Sequence, residues 1–212
     1  MPRQRDINEA MDAPDVHAGE LRHALRFIRK INRRLGYNNA TAAATRELGG
    51  GSVLDVCCGS ADFAERAGSD YIGLDFHPTT LAVAREWQPD VTLVRGDARA
   101  LPLSDDSVDI AICQMSLHHF DHEDVLRICG EMDRVSRRGW IAADLLNRRR
   151  ARWWIWWFTV FSSKMIQDDA RVSVRQAFTD QQARELGRQT KAEVRFVFGH
   201  RFLLIKRHSQ PS

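Results

Sequence analysis

The stretch VLDVCCGSAD, residues 53–62, decides the fold of this 212-residue chain. The run VLDV predicts a buried strand, and CCGSA predicts a turn of small side chains that leads into a helix. Small side chains in such a turn let a ligand come close to the backbone. Ligands of open α/β sheets bind beyond the carboxyl ends of the strands, so we expect a binding site beside Asp55.

Short apolar runs alternate with helical segments along the rest of the chain, which is typical of an α/β fold with a parallel sheet and helices on both faces. The last two runs are separated by Gly199-His200 and predict a terminal antiparallel hairpin. The predicted strands cover 53–57, 71–74, 91–94, 108–113, 140–143, 194–198 and 202–205. The predicted helices cover 20–35, 39–48, 61–67, 79–87, 122–136 and about 180–190.

Acidic side chains follow three consecutive predicted strands. Asp55 ends the first strand, Asp75 ends the second about twenty residues later, and Asp97 follows the third. An acid at the tip of the second strand is well placed to bind both hydroxyls of a ribose. The alternative for each aspartate is a loop or helix cap, because Asp favours turns and helix starts. Three acids at one sheet edge favour a nucleoside site over three separate caps.

Three segments carry a family resemblance that spans residues 52–145. VLDVCCGSADFAE, YIGLDFHPTTLAVARE and VRGDARALPLSDDSVDIAICQMSLHHF resemble, in order and spacing, the class I S-adenosylmethionine-dependent methyltransferases. The resemblance is strongest to the small-molecule branch that includes ubiquinone/menaquinone-type enzymes. It implies a Rossmann-like, seven-stranded, mostly parallel sheet of order 3-2-1-4-5-7-6, with strand 7 antiparallel and a helical lid. A nicotinamide dehydrogenase is disfavoured, because G-x-G-x-x-G is absent from the turn after residue 56.

The resemblance also implies a set of residues that bind S-adenosyl-L-methionine. Asp55 and Gln114 would lie at the methionine end, Asp75 at the ribose, and Asp97 at the adenine amino group. Glycine is usual in the family where Cys57 and Ala61 stand in this chain. The full set of predicted cofactor-binding residues is Asp55, Cys57, Gly59, Asp75, Phe76, Asp97, Ala98 and Gln114.

His118 and His119 follow the fourth predicted strand, where the family directs side chains toward the methyl acceptor. Methyl transfer from a sulfonium needs mainly alignment, and a hydroxyl acceptor also needs a general base. Histidine suits that role, so we predict His118 and His119 as catalytic residues. The alternative is that either one packs against or caps the next helix. The sequence contains no recognisable metal-binding motif, and we expect a metal-independent reaction.

The stretch RRRARWWIWWFTVF, residues 148–161, is predicted to belong to a helical lid over the acceptor. Trp153, Trp157 and, further along, Arg175 are the predicted substrate-binding residues. Arg175 has an alternative as a lid ion pair with Asp168 or Asp169. The tryptophans have three alternatives: lid core, a peripheral contact with a membrane surface, or stacking on nucleic acid. The apolar part of the stretch is too short for a transmembrane helix, which needs ~20 residues.

Composition bounds the remaining predictions. A net charge of +3 does not by itself indicate a nucleic-acid partner, and none is expected. The four cysteines show no disulfide or metal pattern, and the N-terminus has no apolar signal, so we predict a cytoplasmic protein. We expect it to be a monomer or homodimer. The predicted units are an N-terminal helical cap (1–50), a cofactor-binding core (51–146), an aromatic lid (147–172) and a C-terminal helix and hairpin (173–212).

The sequence as a whole predicts an S-adenosylmethionine-dependent methyltransferase. The expected acceptor is a small aromatic or lipophilic metabolite, such as a phenol, quinol or polyketide, methylated on oxygen or carbon. One alternative is a non-catalytic cofactor-binding partner of a biosynthetic complex, which the side chains of Cys57 and Ala61 motivate. Another is an RNA methyltransferase.

Overall fold

The computed structural model of the protein describes residues 17–68, 70–148, 164–198 and 200–209. Its centre is a seven-stranded sheet of order β3-β2-β1-β4-β5-β7-β6. The strands are β1 (Val53–Val56), β2 (Tyr71–Asp75), β3 (Thr92–Arg95), β4 (Val108–Gln114), β5 (Ser136–Leu145), β6 (Glu193–Val197) and β7 (Arg201–Arg207).

Strands β1 to β5 are parallel, and β7 pairs antiparallel with both β5 and β6. The predicted fold class, strand order and terminal hairpin are therefore confirmed. Every residue of β1 is buried, as expected for a central strand of a sheet that is covered on both faces. The carboxyl ends of β1, β2, β4 and β5 consequently lie together at one edge.

Helices cover the two faces of the sheet. One core contains Leu54, Met132 and Trp140, and the opposite core contains Val53, Phe63 and Ile141. Alternate residues of β1 thus point to opposite faces, as the pleat of a strand requires. The helices are α1 (Ala18–Arg34), α2 (Tyr37–Glu47), α3 (Ala64–Ala67), α4 (Pro78–Trp87), α5 (His122–Val135), α6 (Lys164–Gln176) and α7 (Asp180–Thr190).

Local capping explains where two of these helices begin. The Asp121 side chain accepts a hydrogen bond from the Asp124 N–H at 2.9 Å, which starts α5. Thr179 and Gln182 form a capping box at the start of α7. Pro78 occupies the first turn of α4, where its missing N–H has no cost.

Several predicted boundaries differ from those observed, and β5 begins at Ser136 instead of residue 140. Helix α3 begins at Ala64 instead of residue 61, because Ala61 adopts the left-handed conformation (φ 56°) that a helix excludes. Helix α6 runs past the predicted lid boundary at residue 172 to Gln176. The predicted substrate residues Trp153 and Trp157 lie outside the described residues. Among the described helices, none is long and apolar enough to cross a membrane.

Candidate functional site

The turn between β1 and α3 forms the floor of the site. Cys57, Gly59 and Ala61 all have left-handed backbone conformations, with φ of 58°, 55° and 56°. Only glycine adopts this conformation without strain, which explains why glycine is usual in such turns. A Cβ placed on Gly59 would meet no atom within 4 Å, so open space lies above the turn at this residue.

The carboxylate of Asp75, at the end of β2, is bonded to the backbone on both sides. Its Oδ2 accepts the Gly59 N–H at 3.0 Å, and its Oδ1 accepts the His77 N–H at 3.0 Å. These bonds fix the carboxylate beside the turn that follows β1. An ionised carboxylate has about four acceptor sites, so this arrangement is compatible with additional hydroxyl donors.

Asp55, at the end of β1, is only 3% exposed and accepts a hydrogen bond from the Tyr71 hydroxyl at 2.7 Å. Burial raises the pKa of Asp55 to about 7, against the opposing effect of the Tyr71 hydrogen bond. The nearby carboxylates of Asp62 and Asp75 raise this pKa further. A cationic ligand group beside Asp55 would favour its ionised form.

A cavity of about 800 Å³ opens above these strand ends, within the range of small-molecule sites. Asp55, Asp75, Gln114, His118 and His119 contribute polar groups to its lining. Helix α1 closes one side with apolar side chains, and α6 closes another. The apolar lining includes Leu25, Ile28, Ile31, Leu35, Phe76, Phe120, Ile166 and Phe198.

His118 lies in a short 3₁₀ turn after β4 (Leu117–His119) and forms a buried pair with Asp144, near the end of β5. The His118 Nδ1 lies 2.7 Å from the Asp144 Oδ1, and the His118 backbone N–H donates to the Asp144 Oδ2 at 3.0 Å. Burial opposes ionisation of Asp144, but His118 and the Leu145 N–H outweigh it and lower the Asp144 pKa. The site therefore contains an anchored imidazole.

Comparison with known proteins agrees with this arrangement. The family described as "Methyltransferase domain" matches residues 53–139. The demethylmenaquinone methyltransferase of Shouchella clausii is 37% identical over 101 residues, which are 42% of this chain and 42% of that protein. The matched segments span about half the length of the curated relatives.

Solved structures share the fold. An Aquifex aeolicus SAM-dependent methyltransferase aligns with a TM-score of 0.64 at 14% identity, covering 91% of this chain and 99% of that one. Magnesium protoporphyrin IX methyltransferase from Synechocystis, solved with bound SAH, aligns with a TM-score of 0.59 at 15% identity, covering 83% and 84%. At these identities the likeness concerns the fold. Residues 53–139 of this chain thus match a methyltransferase domain, and the described fold is shared with solved methyltransferases.

The predicted family resemblance is thereby confirmed, and S-adenosylmethionine is the cofactor of this class of domain. Most of the predicted cofactor residues of the methyltransferase domain line the cavity. Gln114 is held by α2, because its Oε1 accepts a hydrogen bond from the Thr41 hydroxyl at 2.7 Å. The predicted residues in the lining are Asp55, Cys57, Gly59, Asp75, Phe76 and Gln114.

Asp97 and Ala98 do not belong to the described lining of the cavity. Asp97 forms an ion pair with Arg99, in which the Arg99 Nη2 lies 2.8 Å from the Asp97 Oδ2. Arg99 also contacts Asp124. The hydrogen bond from Arg99 holds the pKa of Asp97 below its usual range, against a smaller effect of burial. Ala98 is buried at 4% exposure. Their predicted place beside the adenine stays a prediction.

Arg175 is exposed on α6, and it too does not belong to the described lining. The role of Arg175 in binding the substrate stays a prediction. Asp168 pairs instead with Arg171 at 3.2 Å, one helical turn along α6. The residues of α6 that do line the cavity are Ile166, Asp169, Ala170 and Ser173.

Three acids of the site, Asp62, Asp144 and Asp169, were not among the predicted site residues. Asp144 is fully buried against His118, and Asp169 is 7% exposed in the cavity wall. Asp144 has a detectable signal, because it follows an apolar strand in the same manner as Asp55. Asp169 has none, because it lies in a polar helix whose buried side depends on tertiary packing.

All four cysteines are free thiols in the structure, and only Cys57 is partly exposed. Among the described residues, no cluster of His, Cys, Asp or Glu side chains is arranged to hold a metal ion. Metal independence of the reaction therefore stays a prediction.

Proposed function

We propose that this protein transfers a methyl group from S-adenosylmethionine to a small aromatic or lipophilic acceptor. The observation that supports this most strongly is the Asp75 carboxylate, fixed against the Gly59 turn at the rim of a largely apolar cavity. A ribose-binding acid and an apolar acceptor wall are the two parts that such a transfer requires.

The described residues fit the cofactor. Asp75 would bind the ribose hydroxyls, the open space above Gly59 would admit the adenosyl group, and Phe76 would lie beside the adenine. The cofactor, when bound, supplies an activated methyl group on a sulfonium. Asp55 would lie near the methionine ammonium, where a positive charge stabilises its ionised form. Gln114, whose Oε1 accepts from Thr41, would donate its amide hydrogens to the methionine carboxylate.

The acceptor side of the cavity favours a flat or lipophilic molecule. Its walls come from the apolar side chains of α1, together with Phe120 and Phe198. Phe198 is 82% exposed at the rim, where an aromatic acceptor would cover it. Curated relatives named for demethylmenaquinone are consistent with a quinol acceptor, and their partial coverage of this chain keeps that class a proposal.

A methyl-transfer assay tests this function. Purified protein and S-adenosylmethionine labelled in the methyl group are incubated with phenols, quinols and polyketides, and the organic phase is counted. We expect transfer to at least one acceptor and its loss in Asp75→Ala. Cofactor binding without transfer to any acceptor would favour the non-catalytic partner instead. Failure to bind the cofactor would contradict both functions.

A second candidate function, RNA methylation, is favoured by a basic groove on the outer side of α1. The groove is lined by Arg26, Arg29, Lys30, Arg33, Arg34 and Trp87. The guanidinium groups of Arg26 and Arg29 lie 5.9 and 5.6 Å from the ring centroid of Trp87. Arg29 is also bound to Glu65 at 2.6 Å, which reduces the charge available to a polyanion.

A gel shift with bulk tRNA separates the two functions. The small-molecule proposal predicts no shift at about 150 mM salt, where weak phosphate contacts are screened. A shift that disappears in the double variant Arg33→Glu/Arg34→Glu would favour RNA as the acceptor.

A further inference from the structure

The His118–Asp144 pair has the geometry of an oriented base. The Asp144 carboxylate accepts hydrogen bonds from the His118 ring, the His118 backbone and the Leu145 backbone, at 2.7, 3.0 and 2.6 Å. The two side chains are 2% and 0% exposed. Because an ionised carboxylate only accepts hydrogen bonds, the His118 Nδ1 carries the proton of this bond. Nε2 is then the ring atom that can accept a proton.

We propose that Asp144 is a positioning residue that fixes His118 as the base for a hydroxyl group on the acceptor; this rests on the proposed methyltransferase function. His118, and not His119, is then the base, and the acceptor is a hydroxyl compound. A carboxylate bonded to Nδ1 sets the tautomer of an imidazole and stabilises the imidazolium that forms. His118 contributes to the cavity wall, as this role requires.

His119 differs from His118 in its exposure. It is exposed, and its ring centroid lies 4.3 Å from that of His118 at an interplanar angle of 33°. We assign the base to His118 because its Nδ1 is bonded to the buried Asp144 carboxylate and its ring lines the cavity.

The proposed step is a proton transfer that accompanies methylation. The acceptor O–H bond breaks, its electron pair stays on oxygen, and its proton bonds to Nε2 of His118. The oxyanion forms the bond to the methyl carbon while the carbon–sulfur bond breaks with its electrons remaining on sulfur. The positive charge lost from the sulfonium reappears on the imidazolium, where Asp144 stabilises it. The proton then passes to water.

Nuclear magnetic resonance tests the pair without any turnover. In protein labelled with ¹⁵N, we expect neutral His118 to be the Nδ1–H tautomer. We expect Asp144→Asn to lower the His118 pKa by at least about one unit, because the substitution removes an opposite charge. The charged and titratable groups around the pair are His119, Cys113, Arg201 and Asp169. An Nε2–H tautomer in the wild-type protein would overturn the proposal. This measurement does not need the variant, so it decides the question even if Asp144→Asn fails to fold.

The pH dependence of turnover tests the catalytic consequence, with 1,4-dihydroxynaphthalene as the first acceptor. We expect the acid limb of kcat/KM to coincide with the His118 titration, to move with it in Asp144→Asn, and to disappear in His118→Gln. His118→Gln should lower kcat by about 100-fold or more. Affinity for S-adenosylhomocysteine should change less than about threefold in both variants, because neither residue is assigned to the cofactor.

His122→Gln is the matched control, because His122 begins α5, is exposed and lies outside the described lining. It should keep the wild-type rate and pH profile. If His118→Gln methylates the acceptor at the wild-type rate, the base assignment is wrong while the methyltransferase function stands. If no acceptor is methylated by the wild-type protein, the proposed function fails, and this inference fails with it.

Discussion

The carboxylate of Asp75 accepts a hydrogen bond from the backbone N–H of Gly59 at 3.0 Å. An acid at the end of β2 thus holds the turn that follows β1. This bond fixes the Asp75 carboxylate, which would bind the ribose, relative to the Gly59 turn, which would contact the rest of the adenosyl group. Such preorganisation reduces the entropy cost of ligand binding.

Gly59→Ala should weaken cofactor binding while the fold persists. The new Cβ would occupy the open space above the turn, and the left-handed backbone adds a strain of about 1 kcal/mol. We expect affinity for S-adenosylhomocysteine, measured by calorimetry, to fall by at least about tenfold, since lost contacts of 1.4 kcal/mol have that effect.

Gly50→Ala is the control for this change. Gly50 has a φ of 65°, its added Cβ would also meet no atom within 4 Å, and it lies outside the described cavity lining. Both variants should therefore lose similar thermal stability, but only Gly59→Ala should lose affinity. Equal affinities in the two variants would show that the turn does not contact the cofactor.

The stability of the ligand-free protein should depend on Asp55 between about pH 4 and 7. Its pKa is about 7 in the folded protein and about 3.9 in an unfolded chain. In this window the folded state keeps a proton that the unfolded state has lost. The free energy of unfolding therefore falls as pH rises, by up to about 1.4 kcal/mol per unit, and levels off above pH 7.

Urea denaturation at pH 5 and pH 7 measures this contribution. Asp55→Asn lacks the titrating group, so the wild-type protein should lose about 2 kcal/mol more than the variant between these pH values. Tyr71→Phe should extend the window upward, because the hydroxyl that stabilises the carboxylate is removed. Identical pH dependence in wild type and Asp55→Asn would mean that Asp55 is ionised in the folded protein.

Gln114→Glu should weaken binding of the methionine part of the cofactor. Thr41 donates to the Gln114 Oε1, so the amide nitrogen is the group available for a ligand carboxylate. Glutamate replaces that donor by a negative charge, and we expect at least about a tenfold loss of affinity for S-adenosylhomocysteine. Gln181→Glu, on the exposed first turn of α7, should have no effect. A normal affinity in Gln114→Glu would place the methionine elsewhere.

The sheet was predictable because its strands are short apolar runs that end in turns. Asp75 at the end of the second run indicated a ribose, and the cofactor itself was implied by the resemblance of three segments to methyltransferases. The pair of His118 and Asp144 was not predicted. Each residue follows its own strand, and their contact depends on β4 and β5 being neighbours with matched ends. The position of Asp144 at the end of an apolar run could be seen in the sequence, but its contact with His118 follows only from the order of the strands.

The surroundings of two other predicted site residues, Asp97 and Arg175, also depend on contacts that a sequence pattern does not show. Asp97 follows β3 as expected, yet Arg99 binds its carboxylate, and a strand-end pattern does not reveal such a neighbour. Arg175 is exposed because α6 directs Asp169 and Ser173 toward the cavity instead. A sequence pattern locates strand ends well, but the direction of a polar side chain on a lid helix depends on packing against the rest of the fold.

Calorimetric titration of S-adenosylhomocysteine into wild type, Asp75→Ala and Asp90→Asn tests the central claim most directly. Asp90 is an exposed acid of the loop before β3 and serves as the control. We predict saturable binding to wild type and Asp90→Asn, and at least about a tenfold weaker affinity in Asp75→Ala, since hydrogen bonds to a charged group contribute about 1.5–3 kcal/mol. Equal affinity in all three proteins, or no binding to wild type, would contradict the account.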